Sequence, residues 1–195
     1  MVTDARRSLS RVAVVAFVAG ALLHLPAGYL LRYARVDLLP SPALFLAAVP
    51  LAIAAAFGHE ALVRGKLYGA LQPALPAGLA APSVALVGAV APLIARLLLF
   101  PVPYVPFPAV AGQALMVEFF LSLGLTWIAL GTGSTRPGAV ALATLWILRL
   151  ALGVRFHGGA LPLLELAAAL VAALLVALVL AGPLAPHRER LLGAA

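Results

Sequence analysis

Five ionisable side chains stand within long apolar runs of this sequence: His24, Arg96, Glu118, Arg149 and Glu165. A charged group in hydrocarbon costs roughly 2.5–3.5 kcal/mol on insertion scales, so such residues face a bundle interior and meet a partner there. The two arginines and two glutamates cancel in charge and can be read in two ways. In one, Arg96 or Arg149 pairs with Glu118 or Glu165 and locks helices together, or the arginines snorkel to the interface. In the other, they line a polar pocket in which the carboxylates accept from donor groups of a solute and the arginines hold its carboxylate or phosphate. Between Phe100 and Pro108 the prolines recur at every second or third position, which forbids helix and strand and favours a stiff extended flap. Its Phe100, Tyr104 and Phe107 would offer aromatic faces to a flat ligand, or form an interfacial aromatic belt. The stretch Arg155-Phe-His-Gly-Gly159 brings His157 to the same side, on a connection that two glycines allow to move.

The elements that must position these groups follow from composition. Of 195 residues, 65% are hydrophobic and 10% charged, and the mean hydropathy is +1.14; soluble domains carry about 25% charged residues. A helix needs about 20 apolar residues to cross a bilayer. Apolar runs bounded by charges and turn signals predict six of them, at about 12–31, 39–57, 74–99, 110–130, 139–154 and 160–181. The expectation is an all-α integral membrane protein: one transmembrane domain over 1–195, a six-transmembrane-helix bundle in the plasma membrane with the lipid bilayer as its solvent. Six spans put both termini on one side. That side would hold eight Lys/Arg against five on the other, so both termini are expected to be cytoplasmic. On that orientation the five ionisable residues fall in the outer half of the membrane, with His24 about 10 Å and Glu118 about 12 Å below the outer surface.

Several chemistries are excluded. A net charge of +7 spread this thinly makes no continuous basic face, so no nucleic acid partner is expected. There is no cysteine, no HExxH-type metal motif and no phosphate-binding Walker sequence, and Ser122, Thr126 and Thr144 have no nucleophile context. We therefore expect neither catalysis nor a bound metal or cofactor. A b-type haem needs two histidines at one depth, and His24, His59, His157 and His187 offer no clear pair. His59-Glu60 reads as a solvated pair at the inner end of the second span. Gly65-Lys-Leu-Tyr-Gly69 has GxxxG spacing, but in a charged loop, where a helix-dimer contact is not expected. Ala16 and Gly20 form a small-residue face on the first span, suited to internal packing or to docking another membrane subunit.

Residues 74–130 also resemble a known family. The glycines Gly78 and Gly88, the Pro92-Leu pair, the proline-rich loop 101–108, and then Ala114-Leu-Met116-Val-Glu118 and Gly124 are similar to the substrate-binding S components of energy-coupling-factor vitamin transporters. The resemblance implies that Tyr104, Phe107, Gln113 and Glu118 lie near a ligand and that Ala16 with Gly20 contacts a transmembrane coupling subunit, itself energised by ATPase subunits. The small-residue pair departs from the alanine pair typical of the family, and no vitamin-specific signature is present. The expected function is capture of a small vitamin-like solute for uptake. The alternatives are an accessory subunit of a larger membrane complex, with buried charge pairs serving packing, and more remotely a haem- or quinone-handling subunit.

Overall fold

The computed structural model describes residues 2–30, 34–38, 42–99, 107–156 and 161–181, with side chains over 8–27, 45–76, 78–94, 111–148 and 163–181. The helices are α1 (Val2–Leu22), α2 (His24–Leu30), α3 (Pro42–Glu60), α4 (Tyr68–Leu71), α5 (Ala77–Leu99), α6 (Phe107–Thr132), α7 (Arg136–Ala151) and α8 (Leu161–Ala181). Two strands, β1 (Ala34–Leu38) and β2 (Leu152–Phe156), pair antiparallel from Ala34↔Phe156 to Leu38↔Leu152. A π-helical segment, Ala61–Leu67, joins α3 to α4 without a break. Because α2 extends α1, and α3, the π segment and α4 form one rod, the bundle has six rods.

The ribbon sets their directions. It lies where α2 ends, α3 begins, α7 ends and α8 begins, so α1 runs towards it while α3 and α8 run away. Gly133, at φ +65°, turns α6 into α7. The Ser134 N–H reaches back to the Ala129 carbonyl (3.2 Å), a left-handed helix stop that only glycine enters without steric cost. Hence α6 runs parallel to α8, with Gly124 beside Ala173 and Gly131 beside Leu180.

The core lies where α1, α6, α7 and α8 meet. Phe17, Leu125, Ile128, Leu145 and Val176 are fully buried there, with Ala13, Ala141 and Ala172 as small spacers. Small residues let backbones approach closely, which is how helices associate when the surrounding solvent is as apolar as they are. A Cβ on Gly20 would lie 2.6 Å from Ala172 Cα, and one on Gly124 would lie 3.1 Å from the Phe17 ring. Large apolar side chains such as Leu46, Leu51, Leu62, Leu163 and Leu178 point outward, as a bilayer allows and water does not.

Three expectations change. First, six crossings are not what the bundle presents. Among the described residues four helices are long and apolar enough to cross a membrane, Ser8–Ala27, Phe45–Leu71, Ala111–Thr132 and Leu163–Ala181, whereas Gly78–Ile94 and Arg136–Leu148 are shorter apolar stretches. Second, the bundle is all-α as expected, but two of its connections, those carrying Arg35 and Arg155, pair as short strands. Third, the second rod does not end at residue 57. It continues to Leu71, so Arg64, one of the eight basic residues assigned to the side of the termini, is buried inside the bundle, which leaves that tally at seven against five. The chain remains a multi-pass protein of the plasma membrane, held in the bilayer by several long apolar helices.

Candidate functional site

The polar centre of the molecule grows out of the third rod. Between Pro50 and Pro73 the sequence has no proline and no Ser, Thr, Asn or Asp, so no side chain there competes for backbone hydrogen bonds with helix, and the three glycines are its only turn-forming residues. Within the π segment each turn holds one residue more than an α turn, and the Tyr68 N–H accordingly bonds the Val63 carbonyl. The widened turn directs both Val63 and Arg64 inward, one turn beyond Glu60.

Glu60 is 0% exposed and Arg64 is 5% exposed. They form a salt bridge from Arg64 Nη1 to Glu60 Oε1. The guanidinium also donates through Nε to Thr126 Oγ1 (3.1 Å), and through Nη2 to the Ser122 carbonyl (2.7 Å) and Ser122 Oγ (2.6 Å). Thr126 Oγ1 donates in turn to the Ser122 carbonyl at 2.8 Å. On the adjoining turn His59 Nε2–H donates to the Gly88 carbonyl of α5 (3.0 Å), which fixes that tautomer and leaves Nδ1 3.5 Å from Glu60 Oε1. Glu60 Oε2 and His59 Nδ1 are buried without a hydrogen-bond partner among the described residues. Glycines make room for the cluster: a Cβ on Gly138 of α7 would come within 2.7 Å of Glu60 Oε2, and one on Gly88 within 2.6 Å of Ser122 Oγ. The third rod is thereby tied to α5, α6 and α7 at once.

Desolvating two charges costs several kcal/mol each, and is offset only by close pairing and saturated hydrogen bonds. Four of the five N–H donors of Arg64 are engaged, whereas Glu60 Oε2 has no hydrogen-bond partner among the described residues. Ser122 and Thr126 continue a buried polar stripe on α6 that starts one turn earlier at Glu118, at intervals of four residues along one face. Beyond Thr126 the stripe opens into a half-open recess of about 370 Å³, lined by Arg64, Tyr68, Thr126, Ala129, Leu130, Gly133, Ser134 and Thr135.

The residues expected from the sequence fall elsewhere. His24 is buried, with Nδ1 2.8 Å from the Ala21 carbonyl; Glu118 is buried, and Glu165 and Gln113 are half-buried. From the contacts of Gly20 with Ala172 and Gly124 with Ala173, His24, Glu118 and Glu165 lie within about one helical turn, roughly 5 Å, of a common level. Each of the three already has a partner. The described recess lies at the opposite end of the bundle from them. Tyr104 and His157 lie outside the described residues, as do the side chains of Arg96, Phe107 and Arg149. Gly20 is buried against Ala172 within the chain, and Ala16 is half-buried. No group of three metal-ligating side chains occurs among the described residues.

His59-Glu60 is therefore not a solvated pair, and the signal that betrays it is an (i, i+4) Glu–Arg pair in a stretch without proline, Ser, Thr, Asn or Asp. Gly65 and Gly69 lie on a helical rod rather than in a loop, and both are exposed. No known protein family, curated protein or solved structure matches the chain.

Proposed function

We propose that the chain is an accessory subunit of a larger membrane complex, in which the Glu60–Arg64 network locks the helix packing. The observation that carries this reading is that the network is internal to the chain: four hydrogen bonds from Arg64 end on α3 and α6, which is how a buried charge serves packing. A second feature supplies a seat for a partner. Ala54, Gly58, Ala61, Gly65 and Gly69 follow one outward face of the third rod, all exposed, and three of these glycines have nothing within 4 Å of a built Cβ. Small residues in this pattern let a neighbouring transmembrane helix approach closely.

The test exploits the absence of native cysteine. A single Gly65→Cys variant carrying a photo-crosslinker is expected to capture another membrane subunit, whereas the same label at Leu178, exposed on α8, captures lipid only. Equal yields at the two positions would remove the partner face. The solute-capture reading, with its coupling and ATPase subunits, draws support from the common level of His24, Glu118 and Glu165. A small molecule retained in native mass spectra and lost in Glu118→Gln would favour it.

A further inference from the structure

The recess beyond Thr126 borders the packing network, sharing Arg64 and Thr126 with it, and lies away from the level of His24, Glu118 and Glu165. We infer that it binds a phosphate group, either of a free small solute or of a lipid headgroup. The first ground is the donor census. A guanidinium has five N–H donors. Four of those of Arg64 are engaged, one on Nε, one of the two on Nη1, and both on Nη2. The second N–H of Nη1 has no acceptor among the described residues, and Arg64 forms part of the recess wall. The hydroxyls of Tyr68 and Thr135 on the same wall likewise have no hydrogen-bond partner among the described residues, and Ser134 Oγ accepts only from the Arg136 N–H at 3.3 Å.

The second ground is charge. Lys66, two residues beyond Arg64, and Arg136, next to Thr135, are both exposed, and Arg11 reaches the same end of the bundle on α1. Among the described residues the carboxylates at this end are Glu60, fully buried behind Arg64, and Asp4 on α1, which Arg6, Arg7 and Arg11 on the same helix outnumber. A recess of one sign of charge with low-dielectric walls concentrates ligands of the other sign. Polar groups on two chain segments of the wall, Arg64 and Tyr68 on the rod of α3 and α4 and Ser134 and Thr135 on the turn after α6, offer several donors to an oxyanion with several acceptor oxygens, as phosphate has. The third ground is size: about 370 Å³ exceeds a bare phosphate and leaves room for an organic remainder, within the range of small-molecule pockets.

The experiment uses the full chain in dodecyl maltoside micelles, which carry no phosphate. Inorganic phosphate should bind saturably and raise the unfolding midpoint, as any ligand of the folded state must; if the source is a lipid, added phosphatidylglycerol should do so instead. The variants Thr135→Val and Tyr68→Phe remove a hydroxyl each, leave the Glu60–Arg64 pair intact, and are checked for folding by the same unfolding curve. Each should weaken binding about tenfold, the loss of one hydrogen bond to a charged group. Failure of both phosphate and phosphatidylglycerol to bind, or binding that is unchanged in both variants, overturns the inference.

Discussion

Replacing Arg64 by Met gives the sharpest test of the buried network. The substitution keeps much of the side-chain volume but removes all four hydrogen bonds that Arg64 donates. Thr126 keeps its bond to the Ser122 carbonyl, so the loss falls in small part on the buried Ser122 Oγ and chiefly on Glu60, 0% exposed, whose Oε2 is already without a hydrogen-bond partner among the described residues. Removing one partner of a buried pair costs about 3–5 kcal/mol, because the other charge stays buried and uncompensated. Replacing both partners by apolar groups is often neutral or stabilising, so Glu60→Leu combined with Arg64→Met should recover most of the loss. The assay is denaturant titration of the reconstituted protein, followed through Trp127 and Trp146, which pack on the core. The four proteins form a double-mutant cycle, and a coupling of at least about 2 kcal/mol is expected. If Arg64→Met costs under about 1 kcal/mol, or the double variant is no better than the single, the pair does not lock the bundle.

The glycines make a graded set. Gly20→Ala would put a Cβ 2.6 Å from backbone at Ala172, and should cost about 1–3 kcal/mol or more in the same titration. Gly138→Ala presses on Glu60 Oε2 at 2.7 Å and should cost a similar amount; this cost should shrink when Glu60 is already Leu. By contrast Gly58→Ala meets nothing within 4 Å and should stabilise the isolated chain by up to about 1 kcal/mol through helix propensity, while reducing copurification of a partner. Phe17→Ala empties a fully buried site beside Gly124 and should cost about 3–5 kcal/mol. Finally, Val36→Cys with Val154→Cys, Cα partners in the ribbon, should form a disulfide under mild oxidation in a chain with no other cysteine, detectable by mass spectrometry; pairing Val36→Cys with Phe156→Cys should not.

How much could be read along the chain differs from element to element. Apolar runs located all six rods, with ends near Leu30, Thr132 and Ala181 falling within two residues of expectation, because hydropathy and proline placement are local properties. The ribbon escaped notice: each strand is five residues long within a connection, and only its distant partner gives it hydrogen bonds. The continuation of α3 runs against two local signals, the charges at Glu60, Arg64 and Lys66 and the glycines at 65 and 69, which favour a loop, although no proline, Ser, Thr, Asn or Asp interrupts the helix. The shared level of His24, Glu118 and Glu165 emerged from counting residues along helices, and the packing keeps those three within about a turn.

The sequence by itself determined that this chain lives in a bilayer, how many helical rods it makes, and that its scarce charges need partners. Tertiary structure alone decided which of them found partners where. Glu60 and Arg64 are buried only because α5, α6 and α7 close over the third rod, with Gly88 and Gly138 leaving the necessary space. Burial and hydrogen-bond partnership are properties of surfaces brought together from distant parts of the chain, and no local window of residues contains them.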